Sequence, residues 1–223
     1  SSDIERIVTL NTSGTTGDEK RLFFTHEDLE ATIDFFQYGM NCLVDENDKV
    51  MVLLPGVAQA SIGDLLKKAL SRSNIECVVH GLLNDVEKTA QCIEEHKITC
   101  IVGIPMQVLY LSKLKPELFY THIKKVLLST DYVPDALVEA LSKDGACKVY
   151  NHYGMTEMGY GGGVECECLN GYHLREHHLY FEIIDPMTGE SVRDGEYGEV
   201  VFTTLNRQAM PLIRYRTGDI ARY

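Results

Sequence analysis

Between Thr25 and Leu43 the apolar positions Leu29, Ile33, Phe36, Met40 and Leu43 recur at steps of three and four. That spacing puts side chains on one face of an α-helix. Asp28 stands three residues after Thr25, the arrangement of a capping box in which each side chain takes the other's backbone N–H. The pattern predicts a helix over 26–43. Beyond it, short apolar and β-branched runs, Val50–Leu54, Ile75–Val79, Thr99–Val102, Val126–Ser129 and Lys148–Tyr150, alternate with helical patterns near 61–70, 84–96, 105–113 and 134–143. Such alternation implies a parallel sheet with helices on its faces.

Past Gly161 the rhythm changes. Leu179–Ile184, Glu199–Thr203 and Leu212–Tyr215 read as strands, and the turn-rich segments 185–189 and 193–196 between them leave no room for crossover helices. The expected fold is therefore α/β: a parallel sheet flanked by helices over residues 1–160, followed by a small antiparallel, barrel-like β lobe over 161–223. No internal repeat or low-complexity linker interrupts the chain.

Composition narrows the class. With 223 residues, 44% of them hydrophobic, the chain can bury a substantial core. Its apolar runs are far short of a membrane span, and its N-terminal residues lack the order of a signal peptide, so a cytoplasmic address is expected. Seven cysteines, an odd number scattered through apolar stretches, read as reduced thiols rather than a disulfide framework. A formal net charge of -12 argues against nucleic-acid or anionic-membrane partners, which require a basic face. It leaves ATP open, since a nucleotide needs only local donors.

The densest local chemistry is Thr12-Ser13-Gly14-Thr15-Thr16-Gly17-Asp18-Glu19-Lys20, directly after the apolar run Ile7–Leu10. Two glycines three apart let backbone N–H groups face an anion, four hydroxyls add donors, and Lys20 supplies a point charge. This reads as a phosphate cradle; the competing reading is a hydroxyl-rich hairpin. It is not the common P-loop, because no Gly-Lys-Ser/Thr occurs and the glycines are too close.

Two further segments carry candidate ligands. Asn151-His152-Tyr153-Gly154-Met155-Thr156-Glu157 stands at the C-terminal end of a predicted strand, the edge where open α/β sheets bind ligands. Tyr153 offers an aromatic face, Thr156 a hydroxyl, and Glu157 a hard oxygen suited to Mg²⁺; the alternative is a plain strand-to-loop turn. Tyr215-Arg216-Thr217-Gly218-Asp219 places a carboxylate after a predicted glycine turn, where it can accept from two vicinal ribose hydroxyls.

Together and in this order, the three segments resemble the adenylate-forming superfamily. The stretch Gly195–Leu205, followed by Met210–Arg216, is similar to its phenylacetate–CoA ligase and coenzyme F390 synthetase branch in particular. The resemblance implies that Thr12, Ser13, Gly14, Thr15, Thr16, Gly17 and Lys20 hold the phosphate end of ATP. It implies that Tyr153 and Gly154 lie by adenine, that Thr156 meets the α-phosphate, that Glu157 binds Mg²⁺ and that Asp219 binds the ribose. Two positions depart from the family: Glu19 replaces a proline before the lysine, and Ser129-Thr130-Asp131-Tyr132 replaces a Gly-Ala-Glu-Pro-like turn beside adenine. Family members line the acyl pocket from the strand-to-helix region that here contains Ala58, Ser61 and Ile62; a packed βα turn explains those small residues equally well.

Cys166, Cys168 and His173, with His177 and His178 close in sequence, have ligand types that suit Zn²⁺. The alternative is a surface hairpin, since a two-residue cysteine step is not finger spacing. His152 reads as a positioning residue, because a carboxylate ionised at neutral pH needs no base.

The function implied is that of the nucleotide-binding core of an AMP-forming ligase acting on a small carboxylic acid and coenzyme A, with Lys20, Thr156 and Glu157 catalytic. Alternatives are nucleotidyl transfer, as in coenzyme F390 synthesis, and a non-catalytic nucleotide-binding scaffold. By comparison with the family, the chain reads as cut short at both ends, without the lysine-bearing C-terminal domain. It is then expected to bind nucleotide without efficient turnover, and apolar surface left uncovered would favour a homodimer.

Overall fold

The computed structural model describes residues 8–11, 20–56, 58–143 and 145–223. They fall into two compact units. One comprises Thr32–Met155 with Gly159–Leu174; the other comprises the described residues up to Ala31, Thr156–Met158 and Arg175–Tyr223.

The chain opens on an antiparallel pair, β1 (Val8–Asn11) and β2 (Arg21–Phe24), with Val8 opposite Phe24 and Asn11 opposite Arg21. Helix α1 (His26–Asn41) follows at once. Its capping box is formed as expected: Asp28 N–H donates to Thr25 Oγ1 at 3.1 Å, and Thr25 N–H to Asp28 Oδ2 at 2.9 Å. Leu29, Ile33, Phe36 and Met40 are buried along one face, which is why the three-and-four spacing folds as a helix.

The larger unit then alternates strand and helix: β3 (Lys49–Leu53), α2 (Ile62–Arg72), β4 (Glu76–Val79), α3 (Val86–His96), β5 (Cys100–Gly103), α4 (Pro105–Leu114), α5 (Pro116–His122), β6 (Lys125–Leu128), α6 (Asp135–Ser142) and β7 (Lys148–Tyr153). The five strands lie parallel in the order β4-β3-β5-β6-β7. Val50 to Leu54 are inaccessible to solvent, as a strand covered on both faces requires. Met51, Ile101, Val126 and Leu128 from the sheet join Val108 and Phe119 from the helices in the main core.

Local chemistry sets the ends of the helices. Asp85 accepts from Glu87 N–H and Lys88 N–H at 3.0 and 3.1 Å to start α3, and Pro105 and Pro116 occupy the first positions of α4 and α5. The sequence pattern did not separate α5 from its neighbours. The sheet also runs on past Gly161: β8 (Gly163–Val164) pairs antiparallel with β7, His152 opposite Val164, and β9 (His173–Leu174) pairs antiparallel with β8.

In the smaller unit β10 (Leu179–Ile184), β11 (Gly198–Thr204) and β12 (Tyr215–Ala221) form an antiparallel sheet in chain order. The third strand corrects an expectation. It starts at Tyr215 instead of spanning Leu212–Tyr215, because Pro211 has no N–H to pair and Arg214 turns into the left-handed region at φ 46°. Leu212 instead exchanges bonds with Thr204, accepting from its N–H at 2.9 Å and donating to its Oγ1 at 2.9 Å.

All seven cysteines are free thiols. Burial pushes the Cys77 thiol up to about 11 and the Cys147 thiol up to about 12. Among the described residues no helix is long and apolar enough to cross a membrane.

Candidate active site

Within the smaller unit a chain of hydrogen bonds joins two of the predicted catalytic side chains. Lys20, at the entrance to β2, donates from Nζ to the Tyr215 hydroxyl at 2.8 Å, and that hydroxyl donates to Glu157 Oε1 at 2.8 Å. The bond to Tyr215 holds the Lys20 ammonium above the ordinary lysine value. Burial, and the Glu157 carboxylate that takes its proton, push the Tyr215 phenol up against the opposing pull of Lys20.

Glu157 is buried in a single 3-10 turn, Thr156–Met158. Two guanidinium groups hold that turn by its carbonyls: Arg207 donates to Glu157 O at 2.6 Å and Arg175 to Met158 O at 3.2 Å. Arg207 also lies over the Phe24 ring, 4.6 Å from its centroid. Burial lowers the Arg207 guanidinium to about 10, with Asp28 and Glu157 opposing the shift; it stays charged at neutral pH. Glu157 Oε2 accepts no hydrogen bond from the described residues, and the neighbouring Thr156 supplies a second hard oxygen. Carboxylate and hydroxyl oxygens are donors of the kind that Mg²⁺ takes.

Asp219 does not follow a turn after a strand; it lies inside β12, on a bulge. Arg216 opposes Val201 and Ile220 opposes Glu199, so Thr217, Gly218 and Asp219 share the place opposite Val200. Gly218 takes φ 81° there with nothing within 4 Å of where a Cβ would stand. Glu199, buried on β11, holds the bulge from beneath: Oε1 accepts Gly218 N–H at 3.1 Å and Oε2 accepts Arg216 Nε at 2.8 Å. The Arg216 bond draws the Glu199 carboxyl below its usual range. Thr217 Oγ1 accepts Asp219 N–H at 3.0 Å, which leaves Asp219 exposed at the crest.

The larger unit holds a small cavity of about 20 Å³ with a wall almost wholly of carbon. Strand order reverses between β3 and β5, where open α/β sheets form their ligand crevice, and Leu54 and Val102 line the cavity there. Phe35, Phe36 and Met40 of α1 face it, as does Ile62 of α2. Ala58 and Ser61 do not line it: Ala58 is exposed, and Ser61 Oγ donates to Ala58 O at 2.5 Å within the turn before α2. The polar groups on the wall are Ser129 and His152, whose Oγ and Nδ1 lie 2.9 Å apart.

Tyr153 ends β7 with its ring 6.1 Å from that of Tyr172, and its carbonyl accepts Gly162 N–H at 2.9 Å. A Cβ at Gly154 would stand 2.3 Å from Tyr160 O and 2.9 Å from His152 Cε1, so only glycine fits the turn.

A family model described as AMP-binding enzyme matches residues 6–207. The chain belongs to the AMP-binding enzyme family. Phenylacetate-coenzyme A ligase of Pseudomonas putida is 30% identical over 232 residues, covering 98% of this chain and 51% of that protein. Phenylacetate-coenzyme A ligase of Aromatoleum evansii is 37% identical over 143 residues, covering 61% and 32%. Among solved structures, an open conformation of 2-hydroxyisobutyryl-CoA ligase with 2-HIB-AMP and CoA has a TM-score of 0.84 at 18% identity, covering 99% of this chain and 53% of that chain. O-succinylbenzoate coenzyme A synthetase of Bacillus subtilis, in complex with ATP and magnesium ion, has a TM-score of 0.72 at 21% identity, covering 96% and 47%. These structural likenesses support the AMP-binding fold. The chain spans about half the length, or less, of the curated relatives it matches.

Of the residues expected to hold nucleotide in this family, Thr12, Ser13, Gly14, Thr15, Thr16 and Gly17 lie outside the described residues. The zinc expectation is not met. Among the described residues no three His, Cys, Asp or Glu side chains gather as a metal site. The Cys166 thiol instead accepts Cys168 N–H at 3.4 Å, which with His173 holds it below the usual thiol range. His177 and His178 meet edge to face, their ring centroids 4.8 Å apart.

Tyr215, Glu199, Arg175 and Arg207 were not read as site residues from the sequence. No local signal marked the two arginines, which lie 17 and 50 residues along the chain from the carbonyls they meet.

Proposed function

We propose that this chain forms the nucleotide-binding core of an AMP-forming ligase that activates a small carboxylic acid and passes it to coenzyme A. The observation that carries the reading is the Lys20–Tyr215–Glu157 chain. It links the end of the Thr/Ser/Gly-rich segment to the carboxylate of the Tyr-Gly-x-Thr-Glu turn, as a shared phosphate and metal site requires. Curated relatives named phenylacetate-coenzyme A ligase support the acid and thiol partners.

In this reading the acid's carboxylate oxygen attacks the α-phosphorus of ATP and pyrophosphate leaves; the thiol of coenzyme A then displaces AMP from the acyl group. Lys20 and the backbone donors of residues 12–17 bind the leaving phosphates, and Thr156 donates to the α-phosphate. Asp219 accepts from the ribose hydroxyls, and Tyr153 and Gly154 flank adenine. Glu157 and Thr156 would hold Mg²⁺, which when bound neutralises charge on the phosphates. In the adenylation step catalysis then rests on positioning and electrostatic stabilisation, with no proton to abstract from the ionised acid; in the second step the thiol gives its proton to water as AMP leaves.

The carbon wall that includes Ile62 offers an apolar surface for the body of the acid, although the cavity of about 20 Å³ must widen to admit it. His152, held through Ser129, keeps a neutral ring there and serves to position rather than to act as a base.

The test is calorimetric titration with ATP and Mg²⁺, followed by product analysis with a set of aryl and alkyl acids. Saturable binding that Glu157→Gln weakens supports the reading, as does free AMP as product. AMP found on the acceptor would instead indicate nucleotidyl transfer, and absence of binding in both proteins would leave a scaffold.

A further inference from the structure

The Glu157 carboxylate is restrained in a way that bears on which cation it can serve. Lys20 has only protons to give, so at their 2.8 Å contact the Tyr215 oxygen must be the acceptor. The one proton of the phenol is thereby directed to Glu157 Oε1, also at 2.8 Å. The phenol has little freedom to turn away, because its ring packs 5.3 Å from Phe202 and the Lys20 ammonium lies 5.1 Å from the ring centroid. Behind it, Arg207 and Arg175 fix the backbone of the turn through Glu157 O and Met158 O. The carboxylate is thus held at its backbone and at one oxygen, while Oε2 accepts nothing from the described residues.

Mg²⁺ is small, demands near-octahedral geometry and takes carboxylates through single oxygens, whereas Ca²⁺ accepts six to eight oxygens and readily takes a carboxylate through both. We propose that Tyr215 is a positioning residue that caps Glu157 Oε1, makes Glu157 a one-oxygen ligand, and so biases the nucleotide site toward Mg²⁺ and against Ca²⁺. The inference rests on the nucleotide-site reading above.

The experiment measures ATP affinity of the whole chain by calorimetry in Mg²⁺ and in Ca²⁺, for the parent protein, Tyr215→Phe and Glu157→Gln, with circular dichroism and Tm as checks on folding. The parent should bind ATP more tightly with Mg²⁺. In Tyr215→Phe the Mg²⁺-over-Ca²⁺ ratio should fall by about tenfold or more, the scale of one hydrogen bond to a charged group. A general loosening of the fold would weaken both affinities and leave their ratio in place. Glu157→Gln should abolish the preference.

A ratio in Tyr215→Phe within about twofold of the parent overturns the inference while leaving the site intact. Parent protein that binds no ATP, or binds it without regard to metal, overturns the site reading itself. Should Tyr215→Phe not fold, Lys20→Met serves instead, because it releases the phenol to turn its proton elsewhere. The ratio must fall there too, and an unchanged one overturns the inference.

Discussion

Ser129 Oγ and His152 Nδ1 are 2.9 Å apart, and the buried Nε2 of His152 has no hydrogen-bond partner among the described residues. The imidazole packs against the rings of Phe35 and Phe36, 6.2 and 6.1 Å away, and burial pushes it down to about 4. An ordinary histidine titrates near 6.5, so between those values the unfolded chain binds a proton that the folded chain refuses. The contribution to stability is complete above about 6.5 and is lost as pH falls toward 4, for a total of about 3 kcal/mol. Denaturant melts from pH 4 to 7 should show this slope in the parent and a shallower one in His152→Gln.

Gly154→Ala should disrupt the turn after β7. The added carbon would meet a backbone oxygen at 2.3 Å, and Tyr160, which owns that oxygen, is itself fixed by its N–H to Met155 O at 2.9 Å. Neither side can move cheaply, so the cost should be about 2 kcal/mol or more. Differential scanning calorimetry measures it directly.

Removing Glu199 should act on Asp219 without touching it. Glu199→Ala strips the acceptor from Gly218 N–H and the partner from Arg216, and the bulge should relax toward regular pairing. ATP affinity is expected to fall about tenfold in Glu199→Ala and in Asp219→Ala alike. The double variant should be little worse than either, as for residues acting through one geometry.

Arg207→Met should leave Glu157 O without its donor while keeping apolar bulk over Phe24. A buried carbonyl so stranded costs about 1–3 kcal/mol. Arg207→Lys should recover only part of this, since a point charge cannot reproduce the planar fork. Urea unfolding of the two variants makes the comparison.

The α/β alternation was legible because strands covered on both faces must be apolar throughout, and Val50–Leu54 and Val126–Leu128 announce themselves. Thr25 and Asp28 likewise carry their cap in four residues of sequence. What escaped notice lacks period or depends on distance. β8 and β9 have two residues each, too few to show alternation, and β12 was displaced by the left-handed Arg214. At the site, Lys20, Glu157 and Asp219 carry chemistry in their own side chains and could be singled out. Tyr215 matters only because it meets Lys20 across 195 residues and Glu157 across 58, and no local pattern encodes that.

Thr156–Met158 groups with the smaller unit although the residues on both sides of it group with the larger one. The chain therefore changes unit at 31/32, 155/156, 158/159 and 174/175, and no single cut in the gene yields either unit whole. A clone of residues 175–223 would carry Asp219 and Tyr215 but leave Lys20 and Glu157 behind. Recombination by exchange of terminal segments meets the same obstacle: a donor bringing a new C-terminal sheet must also match three residues that lie, along the sequence, between segments of the larger unit, or Glu157 is left without its restraints.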